Sequence, residues 1–219
     1  MVPKPDGNAV RTQRTQGRIL AEALALFNER GEARVTPGAI AAALGISPGN
    51  LYYHFHNKDE IVEQLVRRFE ERIGVEPPRG AAGPEAIEDL WLYLHLMLEG
   101  IWEFRFLYRN LDDLLSRNRR LRQRFSQIAD RKFETIVALC DSLVRTQAMV
   151  ARPEEIRALA RNVLLVATYW LNFRALRGNG GDAAAGLGQG ARQVMALIAP
   201  YLVGEARAHL DKLSRTYTD

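Results

Sequence analysis

Cysteine is almost absent: Cys140 is the only one in the 219 residues. No intrachain disulfide and no cysteine-based zinc site can therefore form. Long apolar runs are missing as well. The longest, Val163–Leu171, is broken by Thr168 and falls short of the ~20 residues a membrane span needs. Met1–Gly7 has no apolar core of a secretory signal. These absences lead to the expectation of a cytoplasmic protein with no membrane partner. Alternating apolar and polar stretches do not extend beyond a few residues, which argues against a β-sheet. The balance that remains, 47% hydrophobic and 26% charged, is that of a globular chain and excludes wholesale disorder.

What is present is helical periodicity with clear punctuation. Ile19, Leu20, Ala23, Leu24 and Phe27 form the stripe of a first helix that Gly31 ends; Gly45 ends a short second one. Residues 75–84 are a Pro/Gly-rich break. Beyond it the spacing predicts helices near 85–104, 106–115, 118–150, 153–177 and 185–203, then a charged tail. Pro153 with Glu154 and Glu155 suits a helix start, and Pro200 should break the last long helix. The fold class is all-α. Its expected organisation is a flexible arm (1–11), a compact N-terminal module (12–73), a linker (74–84) and a larger helical domain (85–219).

The net charge of +4 permits a polyanionic partner without locating it. Lys4, Arg11, Arg14 and Arg18 face only Asp6 within the first 18 residues, while the densest basic run is Arg117, Arg119, Arg120, Arg122 and Arg124. Leu114, Leu115, Leu121 and Phe125 interleave that run, so its arginines are read as the solvated side of one or two helices.

Residues 36–60, TPGAIAAALGISPGNLYYHFHNKDE, carry the sharpest signal. Thr36 reads as an N-cap with Pro37 behind it, Ile40 and Leu44 as the buried side of a short helix, and Gly45 as its left-handed stop. Ser47 caps the next helix, again with Pro behind it. Two short helices joined by a tight glycine turn form a helix-turn-helix, here residues 36–55. At ~100° per residue Leu51 and Phe55 share the core face, which leaves Gly49, Asn50 and Tyr53 opposite, with Tyr52 and His54 on the flanks. Such a face suits a helix pressed into a DNA major groove, where Asn can read a base edge and hydroxyls can hold phosphates. Asn57 and Glu60 form a capping box for the helix that follows. Lys58 falls in its first turn, where the helix dipole disfavours a cation and a bound phosphate would relieve the conflict.

The run GISPGNLYYHFHNKDEIV resembles the signature of the TetR family of bacterial transcriptional regulators, and the likeness covers about residues 12–70. The resemblance implies three DNA-binding helices and a larger helical domain for dimerisation and a small effector. Carried over by position, Thr36, Ser47, Pro48, Gly49, Asn50, Tyr52, Tyr53, His54 and Lys58 become the DNA-contacting set. Pro37-Gly38 departs from the polar residues common at that helix start. The implied function is a sequence-specific regulator, a repressor released from its operator by an effector. The alternative is an effector-independent nucleoid-associated or cell-division factor on the same fold. The implied partners are double-stranded DNA with a near-palindromic operator, a second copy of the chain, and an unidentified small molecule.

Other constellations have plainer readings. Gly45-Ile46-Ser47-Pro48-Gly49 matches the nucleophile-elbow pattern, but a helix stands where that motif needs a strand. No catalytic residue, cofactor or metal is assigned, and His54 and His56, two apart, do not share a helix face. The glycines from Gly178 to Gly190 read as an interhelical connection. In the larger domain, Tyr93, His95, Trp102, Phe106 and Tyr169 are candidates to line an effector cavity. Helix 153–177 carries two apolar stripes and needs cover on both sides. Ile156, Leu159, Val163, Val166 and Trp170, with Leu187, Val194 and Ile198 of the later helix, are candidates for a four-helix dimer interface. Which face makes that contact stays open, and a helix deeply buried in a monomer is the alternative.

Overall fold

A computed structural model describes residues 7–74, 84–178 and 183–215. Among them the elements are α1 (Gly7–Arg30), α2 (Pro37–Ala43), α3 (Pro48–His54), α4 (Lys58–Ile73), α5 (Pro84–Glu103), α6 (Arg105–Arg109), α7 (Leu111–Arg117), α8 (Arg119–Arg145), α9 (Pro153–Leu176), α10 (Ala183–Ile198) and α11 (Gly204–Ser214). Short 3₁₀ turns follow α1 and α10, and the described residues contain no strand, only an isolated bridge between Met149 and Leu202.

The punctuation works as its chemistry dictates. Gly31 (φ 82°) and Gly45 (φ 65°) take the left-handed conformation after α1 and α2. Proline ends α10 at Ile198, and Ala199–Tyr201 continue as a 3₁₀ turn. Three expectations need correction. The 106–115 helix is two pieces, because the chain leaves helical geometry at Asn110. The tail is a helix, α11, whose buried Ala206 and Leu210 lie against α5, with His209 on Glu88 at 2.9 Å. The glycine run is only in part a connection: Gly186 and Gly190 lie within α10 and face α9. A Cβ on Gly190 would sit 2.9 Å from the Trp170 ring, and the Trp170 indole donates to the Gly186 carbonyl at 3.2 Å. Small residues one turn apart let two helices meet at the indole.

The two halves share one core. α1 to α4 wrap around Ile19, Phe27, Leu51 and Leu65, all with no exposed surface. α4 then continues into the larger domain. Its fully buried Phe69 packs on Phe104, Tyr108 and Phe125, with ring centroids 5.6–5.9 Å apart. Gly100 of α5 lies directly against the Ile73 side chain at the end of α4. α1 begins at Gly7, inside the segment read as an arm.

Candidate nucleic-acid interface

α3 is short, and what holds it determines what it presents. Ser47 Oγ accepts from Asn50 N at 3.2 Å and Thr36 Oγ1 from Ala39 N at 3.2 Å, so both hydroxyls cap as expected. Leu51 and Phe55 are buried and pin one face. On the other, Ser47, Pro48, Gly49, Asn50, Tyr52 and Tyr53 are exposed, Tyr53 by 74%. Thr36 is exposed beside them. A large aromatic so placed, with nothing of its own chain over it, is the feature that a packing account leaves unexplained. His54 is half-buried, its ring edge-on to Tyr53 at 5.1 Å.

The structure adds residues that the sequence reading missed. Arg11, Thr12 and Thr15 of α1 join Asn50, Tyr53 and His54 around an open polar cleft of about 410 Å³. Reading an arm up to residue 11 hid Arg11, and beginning the first helix's stripe at Ile19 left Thr12 and Thr15 unremarked. The available signal was the spacing of Arg11, Arg14 and Arg18, which share one helix face and are all exposed.

Lys58 has a partner within the protein. Its ammonium lies 2.7 Å from the carboxylate of Glu32 and donates to the Glu32 carbonyl at 3.0 Å. Glu32 is 2% exposed and also receives Arg117 at 3.1 Å. The cation in the first turn of α4 is therefore compensated from within the protein, and no phosphate is needed to explain it. The capping box is also offset: Asn57 Oδ1 accepts from Glu60 N, but the Glu60 carboxylate accepts from His56 N at 2.9 Å, one residue before the cap.

In the larger domain a cavity of about 280 Å³ opens between α8 and α9. Ile73, Met97, Ile101, Leu111, Phe125, Ile128 and Leu164 give it apolar walls, Tyr108 lies within, and Arg122, Ser126, Ala129 and Thr168 are also on its wall. Burial pushes the Tyr108 hydroxyl pKa up, so it stays a neutral phenol. The five residues expected to line an effector site are not brought together there. Phe106 is fully buried against Phe27. His95 stacks on Trp91 and pairs with Glu99, and Trp102 lies under Arg105 at 5.0 Å. Tyr169 is 44% exposed. Only Tyr93 comes close, its ring 4.7 Å below the Lys132 ammonium. The aromatic-rich stretch serves the core, and aliphatic side chains make most of the cavity.

The expected dimer residues divide likewise. Ile156, Leu159, Val163, Val194 and Ile198 are buried within the chain, where α9 packs on α8 and α10. Val166, Trp170 and Leu187 are half-buried. The side of α9 left open carries Leu165, Tyr169, Phe173 and Leu176, between 44% and 86% exposed and spaced four, four and three apart.

Comparison with known proteins agrees with this architecture. Residues 60–210 match the TetR family described as a bacterial transcriptional repressor, and residues 19–65 match the N-terminal region of the bacterial regulatory proteins of the tetR family. A TetR-family transcriptional regulator from Marinobacter aquaeolei VT8 is 34% identical and superposes with a TM-score of 0.81 over 94% of this chain and 99% of that one. A putative transcriptional regulator from Saccharomonospora viridis, solved in complex with choline, shares the fold (TM-score 0.62, 20% identity, 88% of this chain and 99% of that one). The HTH-type transcriptional repressor KstR2 of Mycobacterium tuberculosis is 44% identical over 54 residues, 25% of this chain and 27% of that protein. The chain thus aligns with about a quarter of the length of that curated relative. The chain belongs to the TetR family of bacterial transcriptional regulators, a family of regulators and not of enzymes.

Proposed function

We propose that this protein is a homodimeric, sequence-specific DNA-binding repressor of the cytoplasm, released from a near-palindromic operator by a small molecule. The observation that carries the reading is the exposed face of α3, where Asn50, Tyr52 and Tyr53 stand clear of the core beside capped N–H groups. Such a face offers base-edge readout from Asn50 and neutral phosphate contacts from the tyrosines. Arg11, across the cleft, supplies charge. We keep 12–73 for DNA, 74–84 as linker and 85–219 for effector and dimer, except that the DNA-binding part starts earlier in α1, so as to include Arg11, and that α4 serves both.

In the dimer, the stripe Leu165, Tyr169, Phe173 and Leu176 would meet its twin about a two-fold axis, with α10 alongside. Two α3 helices would then enter successive major grooves about 34–36 Å apart on one face of the duplex. The cavity would hold the effector, which acts by favouring a dimer with misspaced recognition helices.

The test is selection of sites from fragmented genomic DNA with excess competitor, followed by affinity measurements across salt. Tyr53→Ala should weaken operator binding about five- to tenfold without altering the salt slope, because a neutral contact releases no counterion. Arg11→Gln should lower the slope by about one. Unchanged affinity in both variants, with the dimer intact by sedimentation, would remove the interface assignment.

A further inference from the structure

The wall of the α8–α9 cavity is mostly apolar, and the charges that border it are engaged elsewhere. No carboxylate lines it among the described residues. Lys132 borders it, but its ammonium donates to the Ile73 carbonyl and lies over the Tyr93 ring. Those groups, with Glu70 and Gly74, surround a separate pocket of about 40 Å³. Arg122 is exposed, and its Nε donates to the Leu115 carbonyl at 3.3 Å. Tyr108 supplies the wall with a neutral polar group. It is 6% exposed, its carbonyl accepts from Asn172 at 3.2 Å, and its hydroxyl has no hydrogen-bond partner among the described residues. Leaving a buried hydroxyl without a partner costs free energy that a suitable acceptor would return.

Resting on the effector reading above, we propose that the cavity takes an uncharged, largely apolar molecule of about ten heavy atoms, with an acceptor oxygen that receives the Tyr108 hydroxyl. An apolar cavity of about 150 Å³ takes up benzene, so one of about 280 Å³ suits a body nearly twice as large. A carboxylate or an ammonium would exchange its hydration for a wall that offers it no counter-charge, which costs more than apolar burial returns. A hydrocarbon fills the space and leaves the phenol unsatisfied. A ketone, ether or ester oxygen meets it. The Tyr108 ring is already fixed between Phe69 and Phe125, at centroid distances of 5.8 and 6.1 Å, so little order is lost on binding.

Tyr108 also connects the cavity to the DNA-binding half. It belongs to α6, and the buried Asn28 clamps α6 to the end of α1. The Asn28 side-chain amide donates to the Glu103 carbonyl at 2.7 Å and accepts from Phe106 N at 3.0 Å. The Asn28 main-chain carbonyl accepts from Arg109 at 3.1 Å. A ligand that draws on Tyr108 therefore bears on the segment that seats α1, the helix that carries Arg11 near its other end.

The proposal is tested on the full chain by titration calorimetry with propiophenone, propylbenzene, 3-phenylpropanoate and 3-phenylpropylammonium, which share a ring and a three-carbon chain. Propiophenone should bind about tenfold or more tighter than either ion. Tyr108→Phe keeps the ring, so it should weaken propiophenone about five- to tenfold and leave propylbenzene unchanged. A merely structural loss would weaken both. Ala129→Trp, at an exposed position on the same wall, should abolish binding of both neutral probes, and it carries the test if Tyr108→Phe does not fold. An ion bound as tightly as the ketone, equal losses for ketone and hydrocarbon in Tyr108→Phe, unchanged binding in Ala129→Trp, or no binding of any probe would overturn the assignment. A parallel gel shift with the selected operator separates this from the effector reading. Propiophenone bound with operator affinity intact upholds the ligand class and refutes release. Release by an ion that occupies the cavity, with propiophenone unbound, upholds release and refutes the ligand class.

Discussion

At the scale of single residues, burial decides chemistry. Cys140 is a thiol on α8 with no exposed surface, and burial, with the nearby Asp141 carboxylate, pushes its pKa up to about 12. It should resist alkylation in the folded protein and react only on unfolding, because the thiolate is the nucleophile. The same shift bears on stability. An unfolded thiol ionises near 9.0, so above that pH the unfolded chain releases a proton that the folded one retains, and stability falls as pH rises through the folded value. Melting temperatures of wild type and Cys140→Ala should therefore converge with alkaline pH, the wild type losing more between about pH 9 and 12. Parallel curves would contradict the shift. Tyr108 acts in the same direction in both proteins and cancels in the comparison.

At the scale of elements, the caps and stops of α2 and α3 are local chemistry, which is why residues 36–55 are legible in the sequence. Thr36, Ser47, Gly45 and the Leu51–Phe55 pair each act on neighbours within four residues. The contacts that span elements were not legible. Nothing in the spacing of Glu32, Lys58 and Arg117 announces that one buried carboxylate joins the 3₁₀ turn after α1 to the start of α4 and the end of α7. Glu32→Gln should cost about 3 kcal/mol in chemical denaturation, since it leaves Lys58 and the first turn of α4 without their counter-charge. Arg117→Gln should cost under about 1 kcal/mol, because its guanidinium is half exposed and has Asp113 as a second partner. Equal effects would show that the carboxylate does not act mainly through α4. The α10 glycines teach the same lesson from the other side: composition suggested a loop, and the indole of Trp170 makes them a packing surface.

At the scale of the whole molecule, the boundary expected at residue 73 does not divide the core, which the two halves share. The start of α4 after Asn57 was readable from its cap. That Phe69 would be enclosed by Phe104, Tyr108 and Phe125 depends on partners far along the chain, which no local pattern encodes. Phe69→Ala should cost about 3–5 kcal/mol and lower a single calorimetric transition. Two separate transitions would mean that the halves melt independently. The exposed α9 stripe was likewise a question of which side remained uncovered, and only the packing of α8 and α10 answers it.

The placement of Phe69 also bears on how such a chain can change over generations. The surface proposed to read the operator stands on α3, but the helix that carries the chain onward is seated among aromatic rings of the other half. Substitutions that suit the cavity to a new ligand are therefore made next to that seat. If the cavity holds the proposed effector, a descendant that acquires a different one would inherit an altered readiness to hold DNA, even with residues 36–55 unchanged.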